Sequence, residues 1–316
     1  MDESKSGPTR KRRVSKAPGL EVLEGRRLMA AALSQASIKE VTMKGYTELV
    51  IKGTNHGDTM TINDNGSNAP GNVTVSLANG TTYTTKAGVS VVQLQGGSGS
   101  DNVTFNLTGT LTSAQSVLLN LGNGNNQFTG NIPSAIDASA GLDLEVYGGT
   151  GNDTEVVNQT GATTLGAFVP YLSGGGGKNV LTYNGTGNIA ANASVSPEFA
   201  GGSGTDTITS NYSGQVLGNY MYNLSAVAGS GTEKIAENVY LAAGSTGTVG
   251  YSATQPAAIK AGKGNDTIYF NIQSDPTSTA QVIASVLGNG GKGTITESSN
   301  VGVTGNTTRM KNTVLP

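Results

Sequence analysis

The sequence predicts an all-β protein, a right-handed parallel β-helix (β-solenoid) with about 26–27 residues per coil. Three observations predict this fold: a glycine-rich motif that recurs at nearly constant spacing, alternating apolar and polar segments around each copy, and an unusual composition. The 316-residue chain contains 47 Gly, 5% aromatic residues, no Trp and no Cys. This composition excludes a large aromatic core and disulfide bonds, so stability must come from the stacking of repeats.

The recurring motif has the form Gly-x-Gly-x-(Asp or Asn), with a few degenerate copies. Successive copies lie 25, 27, 26, 27, 27, 33 and 26 residues apart, measured at the last position of the motif. Tight turns between strands need positive φ, which glycine adopts at little cost, so the spacing predicts one glycine-rich corner per coil. The last position of the motif is occupied in turn by Asp101, Asn126, Asp153, Asn179, Asp206, Glu233, Asp266 and Lys292.

Segments with period-two alternation flank each corner, for example residues 89–94 before the corner that ends at Asp101 and residues 103–107 after it. This alternation is typical of strands with one buried face. A third, weaker strand such as 161–167 completes a three-sided coil. An earlier relative of the motif ends at Asp58, and the longer step to Asp101 predicts an inserted hairpin with residues 72–77 as a strand and 78–80 as its turn.

Charge divides the chain into a basic leader (1–44), expected to be largely disordered, the β-solenoid (45–305) and a short C-terminal tail (306–316). The leader carries ten Lys/Arg and five Asp/Glu, whereas the rest of the chain carries nine Lys/Arg and sixteen Asp/Glu. An acidic body repels phosphate backbones, so nucleic acid is not an expected partner. The apolar run 28–33 is too short for a transmembrane segment, and none is expected elsewhere.

The leader contains the sequence Leu-Glu-Val-Leu-Glu-Gly-Arg-Arg-Leu-Met-Ala-Ala-Ala at residues 20–32. This segment resembles the LEPR-XLL-type N-terminal segment of large exported proteins of planctomycetes, although Gly25 replaces the usual proline and Met29 stands where Leu is commoner. The resemblance covers about a dozen residues. It implies export, and hence a secreted or cell-surface location with cell-surface or extracellular matrix components as partners.

The corner itself resembles the G-G-x-G-x-D-x-U-x unit of RTX proteins, the hemolysin-type calcium-binding repeat. The resemblance implies that the corner carboxylates bind a few Ca²⁺ ions. RTX units follow one another every nine residues, whereas here there is one per coil, and Asp alternates with Asn in a way that limits charge repulsion without ions. Stacked Asn and Asp side chains that hydrogen-bond along the column are the alternative. The candidate metal ligands are Asp101, Asp153, Asp206, Glu233 and Asp266.

No catalytic constellation is evident, and the chain is not expected to be an enzyme. His56 is the only histidine, and the acidic pairs Asp143/Glu145 and Asp153/Glu155 are assigned to a solvated outer face. The predicted function is therefore an exported or cell-surface structural or adhesive β-solenoid with a few Ca²⁺ ions at its corners. A β-helix that binds or processes extracellular polysaccharide is the alternative. Three clustered tyrosines are expected to pack against their neighbours: Tyr212, Tyr220 and Tyr222.

Overall fold

The computed structural model describes residues 36–160, 163–226, 231–250, 257–287 and 293–300. The predicted all-β fold is confirmed: the described residues form stacked parallel coils of a β-solenoid and contain no helix. The predicted tail (306–316), the end of the corner series at Lys292 and most of the predicted leader lie outside the described residues.

The strands alternate between two long sheets that run the length of the solenoid. In chain order they are β1 (Ser37–Met43), β2 (Tyr46–Lys52), β3 (Thr59–Asp64), β4 (Val73–Leu77), β5 (Thr82–Thr84), β6 (Val91–Gln95), β7 (Asn102–Leu107), β8 (Gln115–Asn120), β9 (Gln127–Ile132), β10 (Gly141–Tyr147), β11 (Thr154–Gln159), β12 (Ala167–Ser173), β13 (Gly176–Gly177), β14 (Val180–Gly185), β15 (Ser194–Val195), β16 (Glu198–Ala200), β17 (Ser203–Gly204), β18 (Thr207–Gly214), β19 (Asn219–Tyr220), β20 (Asn223–Ser225), β21 (Lys234–Leu241), β22 (Thr248–Val249), β23 (Ala257–Lys260), β24 (Thr267–Ser274), β25 (Gln281–Val282), β26 (Ala284–Leu287) and β27 (Thr294–Ser299).

Each coil places one strand, or two short strands, in sheet A and one strand in sheet B, with the glycine-rich corner between them. Sheet A runs β1-β2-β6-β8-β10-β12 and then continues through the short strands β15, β16, β19, β20, β22, β23, β25 and β26. Sheet B runs β27-β24-β21-β18-β14-β11-β9-β7-β3-β4-β5. Strands of successive coils pair in parallel and without register slips, for example Leu142 with Phe168 and Val103 with Phe128.

The core lies between the two sheets and is built by the period-two alternation of the strands. In β7, Val103, Phe105 and Leu107 are buried, while the residues between them face outward. Because equivalent residues stack at the strand spacing of about 4.8 Å, the inner side chains form continuous apolar columns along the solenoid axis. A single coil has no second layer against which to bury these residues, so the stability of each coil depends on its neighbours.

The third side of the coil is shorter than predicted. Its described residues form single bridges and no strands, and in the expected strand at 161–167, which is described from residue 163, Thr164 forms a bridge before β12 begins at Ala167. Segments of this side are short and rich in Gly, Thr and Ser, so they turn before a strand can extend. The bridging column consists of Leu111, Ile136, Thr164, Ile189 and Val216.

The N-terminal edges of both sheets are covered by antiparallel strands. β1 pairs with β2 in sheet A, so the folded region already includes Ser37 and begins before the predicted boundary at residue 45. The predicted hairpin insertion is confirmed: β4 pairs antiparallel with both β3 and β5. Covering the edge strands in this way removes unpaired backbone groups that would otherwise template aggregation.

Candidate functional site

The glycine-rich corners stack so closely that their backbones leave no room for side chains. At Gly124, φ is +135°, and a Cβ atom built there would lie 1.9 Å from the carbonyl oxygen of Gly99 in the preceding coil. The first glycine has a different role, because a Cβ on Gly96 would lie 2.7 Å from Oδ2 of Asp101. This glycine therefore makes room for the acidic side chain that ends the same corner.

The side chains at the last corner position point into the solenoid. Asp101, Asn126 and Asp153 each have only 1% of their surface exposed. Asp101 lies two residues before the buried Val103, so alternation places both on the inner side. The column of inward-pointing residues, called here the corner column, comprises Asp101, Asn126, Asp153, Asn179, Asp206, Glu233 and Asp266. Each of the other corner-column residues also lies two residues before a buried strand residue. This regular offset is visible in the sequence and predicts that the corner side chains point inward.

One side-chain oxygen of each corner-column residue except Glu233 links its coil to the preceding one. Oδ1 of Asp101 accepts the N–H of Asp58 at 2.7 Å, and Oδ1 of Asn126 accepts the N–H of Asp101 at 2.9 Å. The same hydrogen bond, from a backbone N–H to Oδ1 of the residue in the next coil, recurs further along the column. The donor and acceptor residues are Asn126 and Asp153 (2.8 Å), Asp153 and Asn179 (3.0 Å), Asn179 and Asp206 (3.1 Å), and Glu233 and Asp266 (3.2 Å). The expected hydrogen bonding along the column is thus present, but it joins side chains mainly to backbone N–H groups.

Asparagine and aspartate differ at the other polar atom of the side chain, which is a hydrogen-bond donor, Nδ2, in asparagine and an acceptor, Oδ2, in aspartate. Nδ2 of Asn126 faces the carbonyl oxygens of Gly148 (3.1 Å), Gly124 (3.3 Å) and Gly122 (3.4 Å). The corresponding Oδ2 atoms of the aspartates are buried without a hydrogen-bond partner. A carboxylate oxygen at a position where a hydrogen-bond donor fits is costly to bury unless the carboxyl group is protonated or a cation binds to it. The aspartates with this arrangement are Asp101, Asp153, Asp206 and Asp266.

Burial raises the pKa of the carboxyl groups of Asp101, Asp153 and Asp206. The pKa of Asp101 rises to about 6, because burial and the nearby Asp58 carboxylate outweigh the hydrogen bond from the Asp58 N–H. Burial also raises the pKa of Asp153 and of Asp206, against hydrogen bonds from Asn126 and Asn179 respectively. These three positions therefore favour neutral carboxyl groups, or carboxylates neutralised by a bound cation.

Asp206, Glu233 and Asp266 are acidic residues in three successive coils of the column, and the N–H of Glu233 donates to Oδ1 of Asp266 at 3.2 Å. Both Glu233 carboxylate oxygens and Oδ2 of Asp266 are buried without a hydrogen-bond partner. Burial, followed by the adjacent Asp266 carboxyl, raises the pKa of Glu233 to about 8. This pair brings together three free carboxylate oxygens, whereas an isolated aspartate such as Asp101 contributes one. Of the predicted ligands, Glu233 and Asp266 therefore fit the oxygen-rich coordination of Ca²⁺ better than Asp101 does.

The prediction that Asp153 and Glu155 lie on a solvated outer face is wrong. They do share one side of the chain, but that side is the interior: Glu155 has 0% of its surface exposed. Burial and the Asp153 carboxylate raise the pKa of Glu155 well above its ordinary value. The other pair is placed as predicted, with Asp143 exposed and Glu145 partly exposed on the outer face of sheet A.

The outer face of sheet B carries a ladder of asparagine amides that the sequence analysis missed. Nδ2 of Asn106 donates to Oδ1 of Asn63 at 2.8 Å, and Nδ2 of Asn131 donates to Oδ1 of Asn106 at 2.9 Å. The bond continues coil by coil to Asn238. The signal lay in the sequence, because an asparagine stands five residues after each corner-column residue. The asparagines bonded in this Asn ladder are Asn63, Asn106, Asn131, Asn158, Asn184, Asn211 and Asn238.

A shallow groove of about 430 Å³ follows this ladder over four coils. Asn184, Asn211 and Asn238 line its floor, and Tyr240, which is 45% exposed, stands at its side. None of its lining residues is charged. The predicted packing of the tyrosine cluster is confirmed inside the solenoid, where the rings of Tyr212 and Tyr220 stack at 4.4 Å.

Comparison with known proteins finds no matching family model, no matching curated protein and no matching solved structure. Two further observations concern only the described residues. No group of three or more His, Cys, Asp or Glu side chains that could hold a metal ion is found there. No helix there is long and apolar enough to cross a membrane.

Proposed function

We propose that this chain is an exported or cell-surface structural β-solenoid, a stiff rod that spaces or attaches other components of the cell envelope or extracellular matrix. The observation that carries this proposal is the set of hydrogen-bonded ladders along the axis. Sheet pairing, the corner column and the Asn ladder all connect the same neighbouring coils. A stack cross-linked on its inner and outer sides resists bending and local unfolding better than sheet pairing alone.

The non-enzymatic part of this proposal rests on where the carboxyl groups lie. A glycoside hydrolase typically needs two carboxyl groups that converge on one substrate bond. Asp153, Glu155 and the corner column point into the closed interior, which a polymeric substrate cannot enter. Asp143 and Glu145 are accessible but stand on a flat sheet face, and Tyr147 donates a hydrogen bond to Glu145 at 2.7 Å. These outer carboxylates are part of a polar surface in this proposal.

Calcium belongs to the same proposal as a stabilising ion. The Glu233–Asp266 pair supplies carboxylate oxygens, and Asp206 lies in the preceding coil. Ca²⁺ would neutralise carboxylates that are otherwise costly to bury. The RTX-like corner and the LEPR-XLL-like leader support an ion-stabilised exported rod, since both resemble segments of exported proteins.

Surface labelling tests the location and the role together. An antibody raised against the folded chain is applied to intact cells of the source organism and to lysed cells, with a cytoplasmic enzyme as the control for leakage. Labelling of intact cells, with loss of matrix attachment or of envelope integrity when the gene is deleted, is the expected result. Labelling only after lysis contradicts the proposal.

Binding of a polysaccharide is a second candidate function, favoured by the groove along the Asn ladder. Its uncharged lining and the exposed Tyr240 ring suit a neutral sugar chain, which stacks on aromatic rings and hydrogen-bonds to amides. Affinity electrophoresis in gels that contain soluble glucomannan or dextran tests this function. Retardation that disappears in Tyr240→Ala, but persists in Tyr46→Ala on the other sheet, supports it, and unretarded migration in both gels contradicts it.

A further inference from the structure

Glu155 is the least expected residue of the solenoid interior. It stands in an inner column of sheet B whose other described members are all apolar. Both of its carboxylate oxygens are buried without a hydrogen-bond partner. In the RTX-like pattern this position belongs to a large apolar residue, so the resemblance does not account for a carboxylate here. The apolar members of the column are Met60, Val103, Phe128, Leu181, Ile208, Ile235, Ile268 and Ile295.

The Glu155 carboxylate converges with that of Asp153 above Gly148. A Cβ atom at Gly148 would lie 2.6 Å from Oδ2 of Asp153 and 2.9 Å from Oε1 of Glu155. The missing side chain of this glycine thus leaves the space in which the two carboxylates meet. The N–H of Gly148 donates to the carbonyl of Ser173 at 2.8 Å, and the backbone N–H groups of Gly148 and Ser173 lower the pKa of Glu155 less than burial and the Asp153 carboxylate raise it.

Packing alone gives no reason for this arrangement. Burying the Glu155 carboxylate without a hydrogen-bond partner beside the Asp153 carboxylate is strongly destabilising, whereas leucine, which occupies the equivalent position at Leu181, carries no charge. Three free oxygens from two carboxylates form a hard, doubly negative donor set, which matches a divalent cation with oxygen coordination. The corner residues Thr150 and Asn152, which lie next to this donor set in the chain, are exposed to solvent.

We propose that Asp153 and Glu155 form a buried site for one divalent cation that prefers oxygen ligands, with Ca²⁺ as the ion to be tested. Oδ2 of Asp153 and both oxygens of Glu155 bind the ion, and its charge balances theirs. The identity of the ion rests on the proposed Ca²⁺-stabilised function, but the site is separate from the Glu233–Asp266 pair further along the column. Glu155 thereby acts as a ligand that fastens the corner to the first residues of sheet B.

Calcium titrations of the full-length chain, first freed of metal with a chelator, test this site. Calorimetric stoichiometry and the unfolding midpoint are measured with Ca²⁺ for the unaltered protein and for Glu155→Leu and Glu155→Gln. We expect each Glu155 variant to bind one Ca²⁺ fewer per chain and to lose a large part of the Ca²⁺-dependent rise in midpoint. In chelator, Glu155→Leu is expected to unfold at a higher temperature than the unaltered protein, because a buried charge has been replaced by an apolar side chain.

Two further variants separate this site from other causes. Glu237→Gln alters another fully buried glutamate, which accepts a hydrogen bond from Tyr220 at 3.2 Å and lies away from the corner, so it should keep the full stoichiometry. Asp266→Asn should remove only the Ca²⁺ that belongs to the other pair. An unchanged stoichiometry in both Glu155 variants overturns the Asp153–Glu155 site while leaving the Glu233–Asp266 site intact. Absence of any Ca²⁺ binding by the unaltered protein overturns both metal sites and leaves the structural rod unaffected.

Discussion

Replacing Asp101 by asparagine should stabilise the protein at neutral and alkaline pH. Asparagine keeps the oxygen that accepts the N–H of Asp58 and adds a donor where Asp101 has a buried oxygen without a partner. Asn126, in the next coil, already uses its amide in this way. The substitution therefore exchanges one naturally occurring form of the corner for the other.

The size of the effect follows from the pKa of Asp101, which rises from 3.8 to about 6 on folding. The folded chain then binds this proton more tightly than the unfolded chain, so stability falls as the pH rises from about 4 to above 6. Each tenfold change in proton affinity corresponds to about 1.4 kcal/mol, so the upper bound on the stability that Asp101→Asn can gain at alkaline pH is about 3 kcal/mol. Solvent just outside the corner screens the charge, so we expect Asp101→Asn to gain about 1.5 kcal/mol at pH 8 and almost nothing at pH 4.

Urea unfolding of both proteins at pH 4, 6 and 8 in chelator measures this gain. The reciprocal variant Asn126→Asp is the matched control, and it should lose about 2 kcal/mol or more at pH 8. It sacrifices the amide bonds to the corner carbonyls and places carboxyl groups in three successive coils, at 101, 126 and 153. A gain for Asp101→Asn that is equal at pH 4 and pH 8, or a loss at pH 8, would refute the reasoning.

Two further predictions concern the corners and the outer ladder. Gly124→Ala should destabilise the protein by more than about 3 kcal/mol, because the new Cβ atom overlaps the Gly99 carbonyl and φ is positive. The control Gly141→Ala should be nearly neutral, because the atom nearest to its new Cβ would be 3.8 Å away. Equal midpoints of the two variants in thermal unfolding would contradict this prediction. Asn158→Ala should lower the free energy of unfolding in urea by about 1–2 kcal/mol, because it removes the side-chain amide hydrogen bonds to Asn131 and Asn184. The control is Thr182→Ala on the same outer face. A loss for Asn158→Ala no larger than that of the control would show that the Asn ladder adds no stability.

The coil and its corner were predictable because their signals are local and repeated. Glycine at fixed spacing requires a tight stacked turn, and alternation on both sides requires strands, so a parallel β-helix follows without tertiary information. The hairpin at β4 and β5 was predictable for the same reason, since Asn79-Gly80 interrupts two alternating segments.

The direction of the corner side chains could have been predicted but was not. Counting in twos from Val157 places Glu155 and Asp153 inside, yet their charge suggested a solvated face. The apolar pattern is the stronger signal, because a strand cannot turn one residue outward without turning its alternate neighbours as well. The third side was overestimated because its segments are too short to show any period, so its single bridges depend on contacts between coils.

The titration of the Asp101 carboxyl group tests most directly whether the corner column is a buried, uncharged ladder. Full-length protein labelled with ¹³C at the aspartate carboxyl carbons is titrated by NMR in the presence of chelator, and the Asp101 signal is assigned from its loss in Asp101→Asn. A midpoint of about 6, the pKa that burial gives this carboxyl, is the predicted result. A midpoint at or below 3.8, the ordinary pKa of an aspartate, would contradict the inward-facing column.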